Sequence, residues 1–152
     1  MAGRERRRRV TAVLAAMRDL RMELAVYSHR VGARVELKDL DFDCLDVIAR
    51  HGPISPTALA GRVGVHAATM TGVLGRLEAG GWISRVPVEN DRRAVRVAST
   101  PERQRELYAV LGGMQARMGE ICEGYTDEQL ATIADFLGRT VAAGRTSADE
   151  LS

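Results

Sequence analysis

Apolar side chains at Val10, Leu14, Met17, Leu20, Leu24, Tyr27 and Val31 recur at steps of 4, 3, 3, 4, 3 and 4, the spacing of one helix face. They predict a first helix from about Arg7 to Val31, far beyond the ~11–12 residues of an average helix. A helix of that length with one apolar stripe requires a long surface to pack on. A second long stripe, Leu107, Val110, Leu111, Met114, Met118, Ile121 and Tyr125, follows Thr100-Pro101-Glu102. Threonine suits the N-cap there and proline the first helical position. Thr126 with Gln129 three residues on has the pattern of a capping box and opens a last helix, whose apolar face is Leu130, Ile133, Leu137 and Val141.

Between these helices the pattern is shorter and more punctuated. Phe42, Leu45 and Ile48 mark a helix that ends before the breaker His51-Gly52-Pro53. Ser55-Pro56 opens the next, turning Leu59, Ala60 and Val63 inward until Gly64 stops it. A third runs from about His66 to Ala79 on a buried side of Met70, Val73, Leu74 and Leu77, and Gly80-Gly81 closes it. The period then changes to two. Trp82 to Val86 and Ala94 to Ala98 predict short strands flanking the polar loop Pro87 to Arg93, a hairpin. The expected fold is mainly α with a small β-hairpin wing: a winged helix-turn-helix over residues 33–100, between an N-terminal arm and helix (1–32) and two C-terminal helices (101–152).

Composition narrows the function class. A chain of 152 residues, 45% hydrophobic and 28% charged, has the length of one domain and can bury a core. Its net charge of +2 is an average over unlike parts: residues 1–49 carry 10 basic and 8 acidic side chains, residues 50–100 carry 7 and 3, and residues 101–152 carry 5 and 9. The middle is where an anion would bind. Met1 to Arg9 followed by Val10 to Met17 superficially resembles a secretory signal, but Arg18 and Asp19 break the apolar run and no small-residue cleavage site follows. With no run of the roughly 18 apolar residues that a membrane helix needs, the expected location is the cytoplasm. Cys44 and Cys122 are far apart, and His29, His51 and His66 offer no ligand spacing. Neither metal nor cofactor is expected, and buried inert thiols are favoured over a disulfide or a sensor. No Ser-His-Asp set, paired carboxylates or phosphate loop is present, and Gly112-Gly113 lies within a helical stripe, so an enzyme is not expected.

The middle segment has the chemistry of a DNA reader. Two short helices about a glycine turn, followed by a charged hairpin, form the winged variant of the helix-turn-helix, whose second helix enters the major groove. The exposed side of that helix, His66, Ala67, Ala68, Thr69, Thr71, Gly72 and Arg76, is small or polar and free of carboxylates until Glu78. Small residues admit the backbone to base edges, and hydroxyls and guanidinium bind phosphate or base. At the hairpin tip, an arginine of Asp91-Arg92-Arg93 can enter the electronegative minor groove, aimed by the neighbouring carboxylate.

Ser55 to Ala60, Ala68 to Arg85 and Asp91 to Val97 together resemble the MarR family of winged helix-turn-helix transcriptional regulators. The resemblance implies a dimeric repressor or activator, often responsive to small aromatic or phenolic compounds and sometimes to oxidants. It implies that Thr69, Thr71 and Gly72 face the groove, with Arg76 on the DNA backbone, Arg92 and Arg93 at the wing tip, Asp91 as the aiming carboxylate and Thr57 at the start of the preceding helix. Gly72 departs from the basic or polar residue common at its position. The family's redox branch senses through a cysteine of the first helix; here the first helix has none, and Cys44 lies on the second.

Two long helices would leave apolar surface exposed on a monomer. Pairing Met17, Leu20, Leu24, Leu111, Met114, Met118, Leu137 and Val141 across a two-fold axis buries it and sets two recognition helices roughly 34 Å apart on a pseudo-palindromic operator. An effector pocket is expected where the first, second and fifth helices meet the winged domain, lined by Tyr27, Arg30, Phe42, Cys44 and Met114, with Arg30 facing a carboxylate. Two alternatives stand: a winged helix used only for protein contact, and an oxidant sensor using Cys44. Arg4 to Arg9 is either an added DNA-backbone contact or a disordered tail.

Overall fold

The computed structural model describes the backbone of residues 2–88 and 91–151 and the side chains of residues 3–88 and 94–151. Six helices and one hairpin follow in order: α1 (Ala2–Arg34), α2 (Asp39–His51), α3 (Pro56–Val63), α4 (Ala67–Ala79), β1 (Ile83–Val88), β2 (Asp91–Ser99), α5 (Pro101–Glu123) and α6 (Asp127–Asp149). The mainly α architecture with a β-hairpin wing is the one the periodicity predicts. The chain forms two compact units, Met1–Val110 and Leu111–Ser152.

In the first unit, α1 starts five residues earlier than the apolar stripe suggests, so Arg4 to Arg9 is helical. Arginine and alanine are strong helix formers and need no apolar partner to continue the helix outward. At its other end α1 runs on to Arg34 and turns sharply: the Leu37 amide bonds the Gly32 carbonyl at 2.8 Å and Glu36 takes a left-handed φ of 59°. A Cβ on Gly32 would stand 3.1 Å from the Leu37 carbonyl oxygen, which is why a residue without a side chain sits there. Only this end of α1 is buried, at Val31 and Gly32, with Val35 buried just beyond it, while Val10, Val13, Leu14, Leu20, Met22, Leu24 and Val26 are exposed.

The core belongs to α2, α3, α4, the hairpin and the start of α5: Phe42, Cys44, Leu45, Ile48, Leu59, Met70, Val73, Leu74, Leu77, Trp82, Ile83, Val97 and Leu107 are buried. Local chemistry sets its boundaries. The Ser55 hydroxyl accepts the Ala58 amide at 3.2 Å with Pro56 at the first turn, and Gly64 closes α3 in the left-handed region at φ 70°. The strands pair antiparallel from Ile83↔Ser99 to Val88↔Asp91, with the register shifting at Pro87/Val88, so they extend into the stretch expected as loop. Ile54 adds a bridge to the other side of Val97, through bonds of 3.1 and 2.9 Å. Thr100 takes the expected N-cap position of α5, its carbonyl accepting the Gln104 amide at 3.0 Å, while its hydroxyl donates to the Gly81 carbonyl at 2.6 Å, tying the end of β2 to the turn after α4.

In the second unit, α6 opens with the predicted capping box, Gln129 N to Thr126 Oγ1 at 3.3 Å and Thr126 N to Gln129 Oε1 at 2.9 Å. No described side chain beyond Leu107 is fully buried. Met118, Ile121, Tyr125, Ile133, Phe136, Leu137 and Val141 are exposed. Among the described residues no helix is long and apolar enough to cross a membrane.

Candidate nucleic-acid interface

The left-handed Gly64 and the Val65 amide bond to Ala60 (3.1 Å) turn the chain from α3 into α4, whose N-cap is His66. Met70, Val73, Leu74 and Leu77 anchor α4 in the core. The opposite face, His66, Ala67, Ala68, Thr69, Thr71, Gly72, Gly75 and Arg76, is exposed, as is Thr57 on α3. No acidic residue occurs from Val65 to Leu77. Thr71 donates its hydroxyl to the Ala67 carbonyl at 3.0 Å, which leaves its oxygen as an acceptor. Glu78 takes Arg85 of β1 at 3.2 Å, so the one acid at this end of α4 is neutralised against the wing. Asp91, Arg92 and Arg93 begin β2; their side chains lie outside the described residues.

Arg76 is held from behind. Its Nε and Nη2 donate to Asp41 Oδ2 and Oδ1 at 2.8 and 2.6 Å, a bidentate pair between a carboxylate that is 3% exposed and a guanidinium that is 46% exposed. The hydrogen bond to Asp41 is the main cause that raises the Arg76 pKa above its ordinary value. The free Nη1 lies 3.5 Å from where a Gly72 Cβ would be, on the exposed ridge. Sequence reasoning placed Arg76 at the DNA backbone and missed its partner. A signal existed: Asp41, Cys44, Leu45 and Ile48 share one apolar stripe of α2, and a carboxylate on such a stripe requires a cation.

The same pair forms part of a cavity of about 340 Å³ at the turn after α1, lined also by Arg34, Lys38, Trp82 and Arg103. Arg103 lies over the Trp82 ring, 4.8 Å from its centroid, and donates to Glu106 at 2.7 Å. Four cations, one aromatic face and three carboxylates (Glu36, Asp41 and Glu106) therefore border one recess.

The MarR family model matches residues 37–95, the span from the α1–α2 turn into β2. The winged helix-turn-helix is of the MarR family. The transcriptional regulator PecS of Dickeya dadantii (strain 3937) is 29% identical over 113 residues, 72% of this chain and 68% of PecS. The transcriptional repressor YetL of Bacillus subtilis (strain 168) is 33% identical over 90 residues, 59% of this chain and 54% of YetL. The crystal structure of the transcriptional regulator Tm0710 from Thermotoga maritima superposes with a TM-score of 0.64 at 25% identity, covering 90% of this chain and 96% of that one. At the family level, the protein is a DNA-binding transcriptional regulator.

The MarR frame also shows where the expected effector residues stand. Phe42 and Cys44 are core residues of the winged unit, Arg30 is solvent-exposed, and Met114 belongs to the other compact unit. Tyr27 is half-buried, its hydroxyl enclosed without a hydrogen-bond partner among the described residues. None of the five lines the cavity beside Trp82. Cys44 is 0% exposed, and burial, then Asp41 and Asp43, push its thiol up to about 11. Oxidant sensing needs the thiolate and access to it; Cys44 has neither at neutral pH.

Proposed function

We propose that this MarR family regulator is a homodimeric, sequence-specific repressor that binds a pseudo-palindromic operator in the cytoplasm and is released by a small-molecule effector. The observation that carries the reading is the acid-free exposed face of α4. On it, Thr69, Thr71, Ala67, Ala68 and Gly72 meet base edges in the major groove, His66 and Thr57 approach phosphates at its ends, and the free Nη1 of Arg76 meets the backbone. Arg92 and Arg93 enter the minor groove with Asp91 aiming them. Residues 33–100 read DNA, while α1 and residues 101–152 hold two copies together. The apolar side chains left exposed on α1, α5 and α6 support that division, and YetL, named a repressor, supports the direction of control.

The effector reading moves from the residues expected in sequence to the cavity of Arg34, Lys38, Asp41, Arg76, Trp82 and Arg103. An aromatic carboxylate or phenolate there packs against the Arg103–Trp82 pair and draws on the same cations as Asp41. Any bond it makes to Arg76 competes with the pair that fixes the α4 face. Release from DNA then follows from a difference in effector affinity between the two arrangements.

Selection of bound fragments from genomic DNA followed by a salt titration tests the proposal. Replacing Arg92 and Arg93 by alanine is expected to weaken binding and to lower the log–log salt slope by about one per lost phosphate contact. An unchanged slope points instead to a winged helix used for protein contact.

A further inference from the structure

The first two turns of α1 carry an electrostatic conflict. Arg4, Arg6, Arg7, Arg8 and Arg9 stand at the positive end of a 33-residue helix with one acid, Glu5, among them, and cations are disfavoured at that end. Among the described residues Arg9 alone of the five is ion-paired, to Glu5 at 3.2 Å. Arg6 heads the series Arg6, Val10, Val13, Met17, Leu20 and Leu24, whose steps of 4, 3, 4, 3 and 4 place them on one face. Any surface that covers the exposed apolar stripe of α1 thus meets guanidinium at the stripe's outer end.

The second compact unit has the complementary surface. Between Met118 and Asp135 the chain carries Glu120, Glu123, Asp127, Glu128 and Asp135 and no basic residue. Among the described residues only Asp135 of these is ion-paired, to Arg139 at 3.8 Å. At this corner a cavity of about 360 Å³ is lined by Tyr125, Glu128, Gln129, Thr132 and Ile133: an apolar recess with a carboxylate on it.

From this matched pair of surfaces we infer that the arginine end of α1 in one copy docks on the acidic α5–α6 corner of a second copy, with Val10 over the recess and the guanidiniums on Glu120, Glu123 and Glu128. The inference rests on the homodimer proposed above and names the contact that sets its register and salt dependence. By symmetry the contact occurs twice in each dimer.

A charge swap in the full-length protein tests it. One variant carries Arg6→Glu, Arg7→Glu, Arg8→Glu and Arg9→Glu, and the other Glu120→Lys, Glu123→Lys and Glu128→Lys. Sedimentation equilibrium at about 50 mM NaCl, where screening is weak, is expected to show each variant alone dimerising about tenfold or more weakly than wild type, since several exposed pairs are lost twice over. Mixed, the two are expected to form a heterodimer of wild-type strength, because both of its docking contacts are again attractive. Far-UV circular dichroism checks folding; acids at the start of α1 suit the helix dipole, so the arginine variant keeps its helix. Unchanged homodimers, or no recovery on mixing, overturn the docking and leave the dimer standing. An arginine variant that dimerises normally but binds DNA weakly overturns it in favour of a DNA contact. A wild-type dimer constant insensitive to NaCl overturns it without any variant, and a wild type monomeric at every concentration removes the homodimer as well.

Discussion

The winged body and the long helices spend similar apolar residues in opposite ways. In α4, Met70, Val73, Leu74 and Leu77 are buried within a single chain, whereas Leu14, Leu20 and Leu24 of α1 and Ile133, Leu137 and Val141 of α6 stay exposed. Both sets have helical spacing, so periodicity alone marks a face as apolar without saying what covers it. What separates them is punctuation. Short helices bounded by Ser55, Gly64 and Gly80 fold back on one another, and uninterrupted ones keep apolar side chains exposed along their length.

The largest effect expected from this contrast is in the body. Leu77→Ala, at a fully buried site, is expected to lower unfolding stability by about 2–5 kcal/mol in urea titrations. Leu20→Ala, measured at a concentration where the chain is monomeric, changes it by less than about 0.5 kcal/mol; an equal loss would erase the distinction between the regions. Next comes the reverse experiment. Leu20→Asp with Leu137→Asp is expected to weaken dimerisation by about 3 kcal/mol, from two half-exposed leucines lost on each copy, with the fold of the monomer intact by circular dichroism.

Much of this was legible in the sequence because the signals are local. The ends of α3 and α4 and the capping box of α6 are written in residues within a turn of each other. The Asp41–Arg76 pair joins residues 35 apart, and the Trp82 cavity gathers side chains from both ends of the winged unit, so both emerge only from packing. Within the expected effector set, Phe42 and Cys44 fill the core, and an apolar residue looks the same in sequence whether it lines a pocket or fills a core. The early start of α1 was hidden because arginines extend a helix without adding to its stripe.

Asp41 offers the sharpest link between body and DNA face. Asp41→Asn is expected to cost about 2 kcal/mol of stability, since a charge-assisted pair is lost while the half-exposed guanidinium regains water, and to weaken operator binding in fluorescence anisotropy as Arg76 loses its fixed position. Stability loss with unchanged DNA binding would confine Asp41 to packing.

The smallest effect is alkaline. A Cys44 thiol raised from 9.0 to about 11 stays protonated in the folded chain while the unfolded chain ionises. Its contribution is complete below pH 9 and is lost as pH rises through about 11, the loss reaching about 1.4 kcal/mol by pH 10. Cys44→Ala is expected to lack this part of the decline when stability is compared across that window. At pH 8, iodoacetamide followed by mass spectrometry should label the exposed Cys122 and spare Cys44 until denaturant is added.

The bridge between Ile54 and Val97 bears on what such a regulator can adjust. Because β2 pairs with β1 along one edge and Val97 bonds Ile54, at the entry of α3, along the other, the base of the wing is fastened to the helix-turn-helix. In the dimer proposed above, the distance from a major-groove contact of α4 to a minor-groove contact of the wing is then a constant of each half. An operator with a different half-site layout would have to be matched by evolution in the coupling between halves, leaving the reading head itself untouched.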